Sequence, residues 1–188
     1  MIEQTLILLK PDAVQRSLIG KIISRFEDTG LKIMAMKMVW ADEKLAKSHY
    51  FLDEDWAKKL YEKTSSAYEK EGKKMKWKTH LELGKDIQFW NMSFLRECPV
   101  IALVLEGPHA IELVRKIVGT TEPRQSLPGT IRGDFASVES YAVANPLNRV
   151  LRNLVHASDS TETAKREIPL WFSNEDLHSY KKDLDKHF

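Results

Sequence analysis

The sequence predicts an α+β protein, an antiparallel sheet with helices packed on one face. Three observations carry this. Segments run strand, helix, strand, helical region, strand, helix, strand, with Gly and Pro punctuating the boundaries. Two strand segments, Thr5 to Leu9 and Pro99 to Leu105, are short and almost wholly apolar, as strands inside a sheet are. The helical segments carry their apolar residues on one stripe, so each covers a core on one side. At 188 residues the chain is long enough for one domain, or a domain with an appendage, and for a sizeable core.

Taken in order, Thr5 to Leu9 is a buried strand that Pro11 ends. Asp12 stands three before Gln15, the spacing of a capping box. Val14, Leu18, Ile22 and Phe26, with Ile19 and Ile23, then form the stripe of one helix, closed at Thr29-Gly30. Leu31 to Trp40 alternates as a strand whose shared face of Met34, Met36 and Met38 reads as core. Ala41 to Leu52 is helical. In Asp53 to Lys78, Trp56, Leu60, Ala67 and Tyr68 keep roughly helical spacing among lysines and glutamates, which predicts an added amphipathic helix. Pro99 to Leu105 is a central strand, and Gly107-Pro108 turns the chain with Pro108 at the first helical position. Ala110, Leu113, Val114 and Ile117 form the next buried stripe, with Arg115 off it and Gly119 as terminator. Residues 120–134, with Pro123, Pro128, Gly129 and Gly133, read as a long structured loop, and Leu154 to Ala157 as the last core strand.

Composition narrows the function classes. An apolar fraction of 43% with 30% charged residues fits a soluble globular protein. A net charge of +2 argues for neither nucleic acid nor membrane. The run KKMKWK, Lys73 to Lys78, reads as a surface lysine run rather than a nucleic-acid patch for the same reason. One cysteine, Cys98, excludes an internal disulfide and fits a reducing compartment. No apolar run reaches the roughly 20 residues of a membrane span. The start, MIEQTLILLKPD, lacks a basic leader and meets Asp12 early, so a cytoplasmic protein is expected.

The chemistry centres on NLVHASDS, Asn153 to Ser160. His156 follows an apolar pair and precedes small and hydroxylated residues, which leave room beside the ring. A histidine near its ordinary pKa of about 6.5 is largely neutral and nucleophilic at physiological pH; alone on a strand it is more often a satisfied core residue. No Walker A, G-x-G-x-x-G or kinase H-R-D string is present, so any phosphate would be held by discrete cationic side chains.

LLKPDAVQR (Leu8 to Arg16), EPRQSLPGTIRGDF (Glu122 to Phe135), NLVHASDS and SDSTETAKREIPLWF (Ser158 to Phe172) together resemble the nucleoside diphosphate kinase family in content and order. The resemblance implies a ferredoxin-like sandwich with a four-stranded antiparallel sheet. It also implies transfer of the terminal phosphoryl group of a nucleoside triphosphate such as ATP to a nucleoside diphosphate, by a ping-pong route through a phosphohistidine on His156. It matches Lys10 to a lysine on the transferring phosphate, and Arg115, Thr121 and Arg132 to nucleotide-phosphate ligands. It matches Asn153 to an amide on the sugar, Tyr50 to a tyrosine packing near the histidine, and Glu167 to the glutamate on the ring's other nitrogen. Mg²⁺ is implied only as the nucleotide's own ion, with no metal site on the chain. The assembly implied is a homohexamer, with a tetramer as the fallback.

The sequence departs from the family pattern in three ways. Ala157 stands where relatives most often carry Gly. The aromatic that stacks on the base falls on Phe89, with Trp90 as the other candidate. Extra residues lie at about 53–90 and 136–152 of a single domain spanning 1–188, the first near the part that clasps the base. Two other functions compete. A ferredoxin-like sheet can stack single-stranded RNA, but Pro99 to Glu106 lacks the basic-Gly-aromatic string. An inactive scaffold would be expected to lose His156 or Lys10, and both are present.

Overall fold

Four strands form one antiparallel sheet in the order β2-β3-β1-β4: β1 is Ile2–Leu9, β2 Lys32–Val39, β3 Val100–Pro108 and β4 Val155–Ala157. This computed structural model describes residues 2–70, 72 and 74–183, without the side chains of Lys63, Ala67 and Lys70. The stripe residue Ala67 and Lys73 of the basic run therefore lie outside the described side chains. Around the sheet stand α1 (Pro11–Gln15), α2 (Ile19–Glu27), α3 (Glu43–His49), α4 (Glu54–Lys70), α5 (His80–Leu95), α6 (Ala110–Val118), α7 (Ile131–Phe135), α8 (Tyr141–Ala144) and α9 (Thr161–Trp171).

The helices cover both faces of the sheet, not one. Thr5 to Leu9 are all fully buried, so this part of β1 has no solvent side. Ile7, Leu9, Leu103 and Leu105 pack with Ile22, Phe26 and Val114 of α2 and α6. Leu6, Leu8, Ala102 and Val104 pack with Ala46, Leu95 and Trp171 of α3, α5 and α9. The unalternating apolar runs of β1 and β3 are the sequence mark of this two-sided burial.

Five local expectations are corrected. The helix foreseen from Asp12 to Gly30 is two helices, because Ser17 adopts a left-handed φ of 55° between them. Asp12 is not its cap: Lys10 is the N-cap residue and Asp12 is buried in the first turn. Of the three methionines on β2 only Met34 is core. A register shift between Ile33 and Ala35 buries two successive residues and turns Met36 (55% exposed) and Met38 (57%) outward. Pro108 closes β3, paired with Ile2, and His109 precedes α6 with φ 54°. The added segment is a pair of helices, of which α5 begins with a Thr79–Glu82 capping box and runs on to Leu95. The 120–134 loop holds α7 at its end.

Candidate active site

The short strand β4 sits beside β1, with Leu8 opposite His156. Its entry is unusual: Leu154 is fully buried with φ 66°, a left-handed conformation costly for a branched residue. Two contacts hold it. The Asp12 carboxylate accepts from the Leu154 N–H at 3.0 Å, and the Leu154 carbonyl accepts from the Lys10 N–H at 2.8 Å. The KPD turn thus fixes the approach to His156, a role sequence reasoning missed for Asp12. Burial pushes the Asp12 carboxyl above its usual range, against the neighbouring Lys10 ammonium.

His156 is bonded through one nitrogen. Its Nε2 lies 2.8 Å from Glu167 Oε2, which also accepts from the Ser158 hydroxyl at 2.8 Å, while Oε1 accepts from Arg166 at 3.1 Å. Glu167 is only 2% exposed. Burial acts to raise its pKa, but the hydrogen bonds from His156 and Ser158, with the neighbouring rings, outweigh it and hold the carboxyl below the usual range. An ionised carboxylate accepts only, so the shared proton belongs to His156 Nε2 and the Nδ1 lone pair is left as the nucleophilic one. Ser158, read from sequence as open space beside the ring, is instead buried and closes the carboxylate from its other side.

His49 is the neighbour that sequence reasoning underused. It is 3% exposed, and its ring meets that of His156 edge-on at 4.6 Å. Trp171 Nε1 donates to its Nδ1 at 3.4 Å. Burial, reinforced by His156, holds its pKa well below the usual range, so it is neutral. Tyr50 packs edge-on against His49 at 4.7 Å and so lies one ring behind His156; burial raises its phenol pKa. Ligand atoms of His49, His156 and Glu167 lie within 4.8 Å of one another. The donor set does not suit a resident ion: the Trp171 N–H on Nδ1 leaves the proton of neutral His49 on Nε2, the nitrogen that would have to ligate.

The cations gather beside this histidine. Lys10 Nζ donates to Asn153 Oδ1 at 2.8 Å and sits 5.9 Å from the centre of the Phe94 ring. Burial, then the charge of Arg132, lowers the Lys10 pKa to about 8. The Asn153 amide N–H donates to the Thr121 carbonyl at 2.8 Å, so Thr121 enters through its backbone. Arg132 is 3% exposed and donates to the carbonyls of Asn153, Gly119, Thr120 and Val155 at 2.6–3.1 Å. These bonds use four of the roughly five N–H groups of a guanidinium, so Arg132 ties the 119–120 turn to β4 and keeps one donor over. Burial, then the nearby charge of Arg115 on α6, lowers its pKa to about 10.

Phe89 and Trp90 do not reach this cluster. Both line a cleft with Phe94, Asn148, Val150 and Arg152. Phe94 joins cleft to site, since Lys10 approaches its ring and the Arg152 guanidinium stacks 4.9 Å from its centre. Arg152 in turn pairs with Glu97 at 2.9 Å. Sequence reasoning missed Phe94 and Arg152; the position of Arg152 next to Asn153 was the available signal.

A half-buried histidine fixed by a carboxylate, beside a lysine, an amide and two arginines, is an arrangement able to handle phosphate through a nucleophilic imidazole. Comparison with known proteins agrees. The nucleoside diphosphate kinase family pattern matches residues 3–72 and 70–177. A nucleoside diphosphate kinase of Pyrobaculum aerophilum is 43% identical over 180 residues, covering 94% of this chain and 98% of the relative. The crystal structure of an NDP kinase from that organism superposes with a TM-score of 0.90 at 41% identity, covering 95% of this chain and all of the other. A Borrelia burgdorferi nucleoside-diphosphate kinase with bound vanadate and ADP, a transition-state mimic, gives 0.80 at 35% identity, covering 99% and 96%. The chain belongs to the nucleoside diphosphate kinase family, and it is a phosphotransferase that moves the terminal phosphoryl group of a nucleoside triphosphate to a nucleoside diphosphate.

Proposed function

We propose that this transfer runs by a ping-pong route in which His156 Nδ1 carries the phosphoryl group. The observation that carries the reading is the His156–Glu167 bond at 2.8 Å through Nε2. In the first half-reaction Nδ1 attacks the γ-phosphorus, the N–P bond forms, the bond to the bridging oxygen breaks, and the nucleoside diphosphate leaves. The ring then carries a positive charge that the Glu167 carboxylate balances. The acceptor diphosphate reverses the step. Lys10, with Arg115 and the remaining N–H of Arg132, neutralises the phosphate oxygens. Asn153 positions Lys10 and addresses the sugar, and Thr121 lies at the edge of that group. Tyr50 supports the ring through His49. Charge stabilisation by preplaced donors in a water-poor site is the main source of rate for such transfers.

Mg²⁺ belongs with the nucleotide in this reading. The two buried carboxylates beside the site, Asp12 and Glu167, are already engaged by N–H and O–H donors, so neither offers a free cage. The base enters the cleft of Phe89, Trp90, Phe94 and Val150, Phe94 carrying it to the Lys10 end. A structure of a Halobacterium salinarum nucleoside diphosphate kinase in complex with CDP, TM-score 0.70 at 31% identity, supports a nucleotide as partner. We read residues 1–188 as one such domain with two added segments, in the cytoplasm; no helix among the described residues is long and apolar enough to cross a membrane. We read it also as a homo-oligomer, with the hexamer ahead of the tetramer. Support comes from the edge strand β2, which turns Met36 and Met38 to solvent, with exposed Trp40 just beyond its end, an apolar row that a second copy would cover.

The test is incubation with γ-labelled ATP. Wild type is expected to take up acid-labile, base-stable label and to give parallel double-reciprocal plots. His156→Ala is expected to take up none while unfolding at an unchanged temperature. Label on the variant, or intersecting plots, sinks the assignment.

A further inference from the structure

The two added segments meet across the cleft. Lys76, between α4 and α5, donates to the Asn148 side chain at 2.7 Å, joining parts of the chain 72 residues apart. Its ammonium lies 4.7 Å from the centre of the Trp77 ring and 5.1 Å from that of Trp90. Trp77 is itself fixed: its N–H donates to Asp86 at 2.9 Å, and its ring meets Trp90 edge-on at 6.3 Å. Asn148 ends a short 3₁₀ turn with φ 49°, a left-handed conformation that asparagine adopts more readily than most residues. Trp90 and Asn148 are both wall residues of the cleft, and Lys76 touches both without lining it.

We propose that Lys76 is a positioning residue for the nucleotide: it holds Trp90 and Asn148 at a fixed separation, so that the base enters a preformed slot. This rests on the reading of the cleft as the base subsite. The added segments then act on affinity and leave phosphoryl transfer alone, because Lys76 bonds to none of Lys10, Asn153, His156 or Glu167. Each contact is weak at an exposed position, but both act on the same two walls, and fixing walls before binding removes an ordering cost from the binding step.

The experiment compares wild type with Lys76→Met, which keeps the apolar stem, and Lys76→Arg, which restores the cation. Lys76→Met is expected to raise KM for ADP as acceptor about three- to tenfold, with kcat and Tm close to wild type, and Lys76→Arg to recover most of the loss. The ADP dissociation constant is read separately from tryptophan fluorescence, with Trp90→Phe identifying the Trp90 share. A Trp90-dependent signal with an unchanged dissociation constant in Lys76→Met overturns the proposal and spares the cleft reading. An ADP signal identical in wild type and Trp90→Phe overturns the cleft reading and the proposal with it. A Lys76→Met protein that loses kcat and Tm together shows a merely structural lysine and also overturns it.

Discussion

Replacing Glu167 by Gln tests whether the carboxylate acts by charge or only by holding the ring. Glu167 Oε2 takes both the His156 and Ser158 donors, and Oε1 takes Arg166. A glutamine oxygen can replace Oε2 and keep both inner bonds. Its NH₂ then faces Arg166, whose partly exposed side chain can turn to water. Ring geometry is therefore retained and the negative charge is lost. Hydrogen bonds to charged groups contribute about 1.5–3 kcal/mol and neutral ones about 0.5–1.5, a difference of about 1–1.5 kcal/mol and roughly tenfold in rate. Glu167→Ala removes both acceptors and leaves buried donors unpaired, so a loss of about 3 kcal/mol, on the order of a hundredfold, is expected. The assay is single-turnover formation of phosphohistidine from γ-labelled ATP at saturation. A Glu167→Gln rate within about twofold of wild type, or a Glu167→Ala rate no slower than that of Glu167→Gln, refutes the reasoning. The sign of the pH effect also follows. The folded pKa lies below the unfolded value of about 4.3, so the stability from Glu167 is present above that value and is lost as pH falls through the folded pKa. Glu167→Gln should flatten the acid limb of Tm against pH; an unchanged limb counts against the coupling.

Three more outcomes are expected. Lys10 has a folded pKa of about 8 against an unfolded value of about 10.4, so the unliganded protein should gain stability as pH rises between them, while kcat/KM should fall along an alkaline limb near 8 that Lys10→Gln lacks; a limb unchanged in Lys10→Gln assigns it elsewhere. Asp12→Ala leaves the buried Leu154 N–H unpaired at a left-handed residue and should cost about 1–3 kcal/mol of stability by urea unfolding, with kcat lowered through His156; wild-type values for both would dismiss the role given to the KPD turn. Met36→Lys with Met38→Lys, on the outward side of an edge strand, should reduce the assembly to smaller species by light scattering without unfolding the chain, and an unchanged mass moves the interface elsewhere.

The sequence by itself determined the sheet and the strand at His156, and its resemblance to the family supplied the list of residues to look for. The sheet and that strand were legible because periodicity, Gly and Pro are local signals: Thr5 to Leu9 and Val100 to Leu105 are buried on both faces and look so, and Gly119 at φ 88° ends α6 where expected. The misses share a cause. The break at Ser17 and the shift on β2 depend on what the backbone packs against, and an apolar stripe reads the same with or without them. Within the site, the family resemblance named Lys10 and Glu167 beside His156, but only the tertiary structure decided which nitrogen of His156 is held and that Asp12 props Leu154. It likewise showed Arg132 to be largely committed to carbonyls, and His49 to stand between Tyr50 and the nucleophile. Such choices are made by donors and acceptors far apart in the chain, Asp12 with Leu154 or Lys76 with Asn148, whose pairing carries no sequence period and exists only once the core has closed around them.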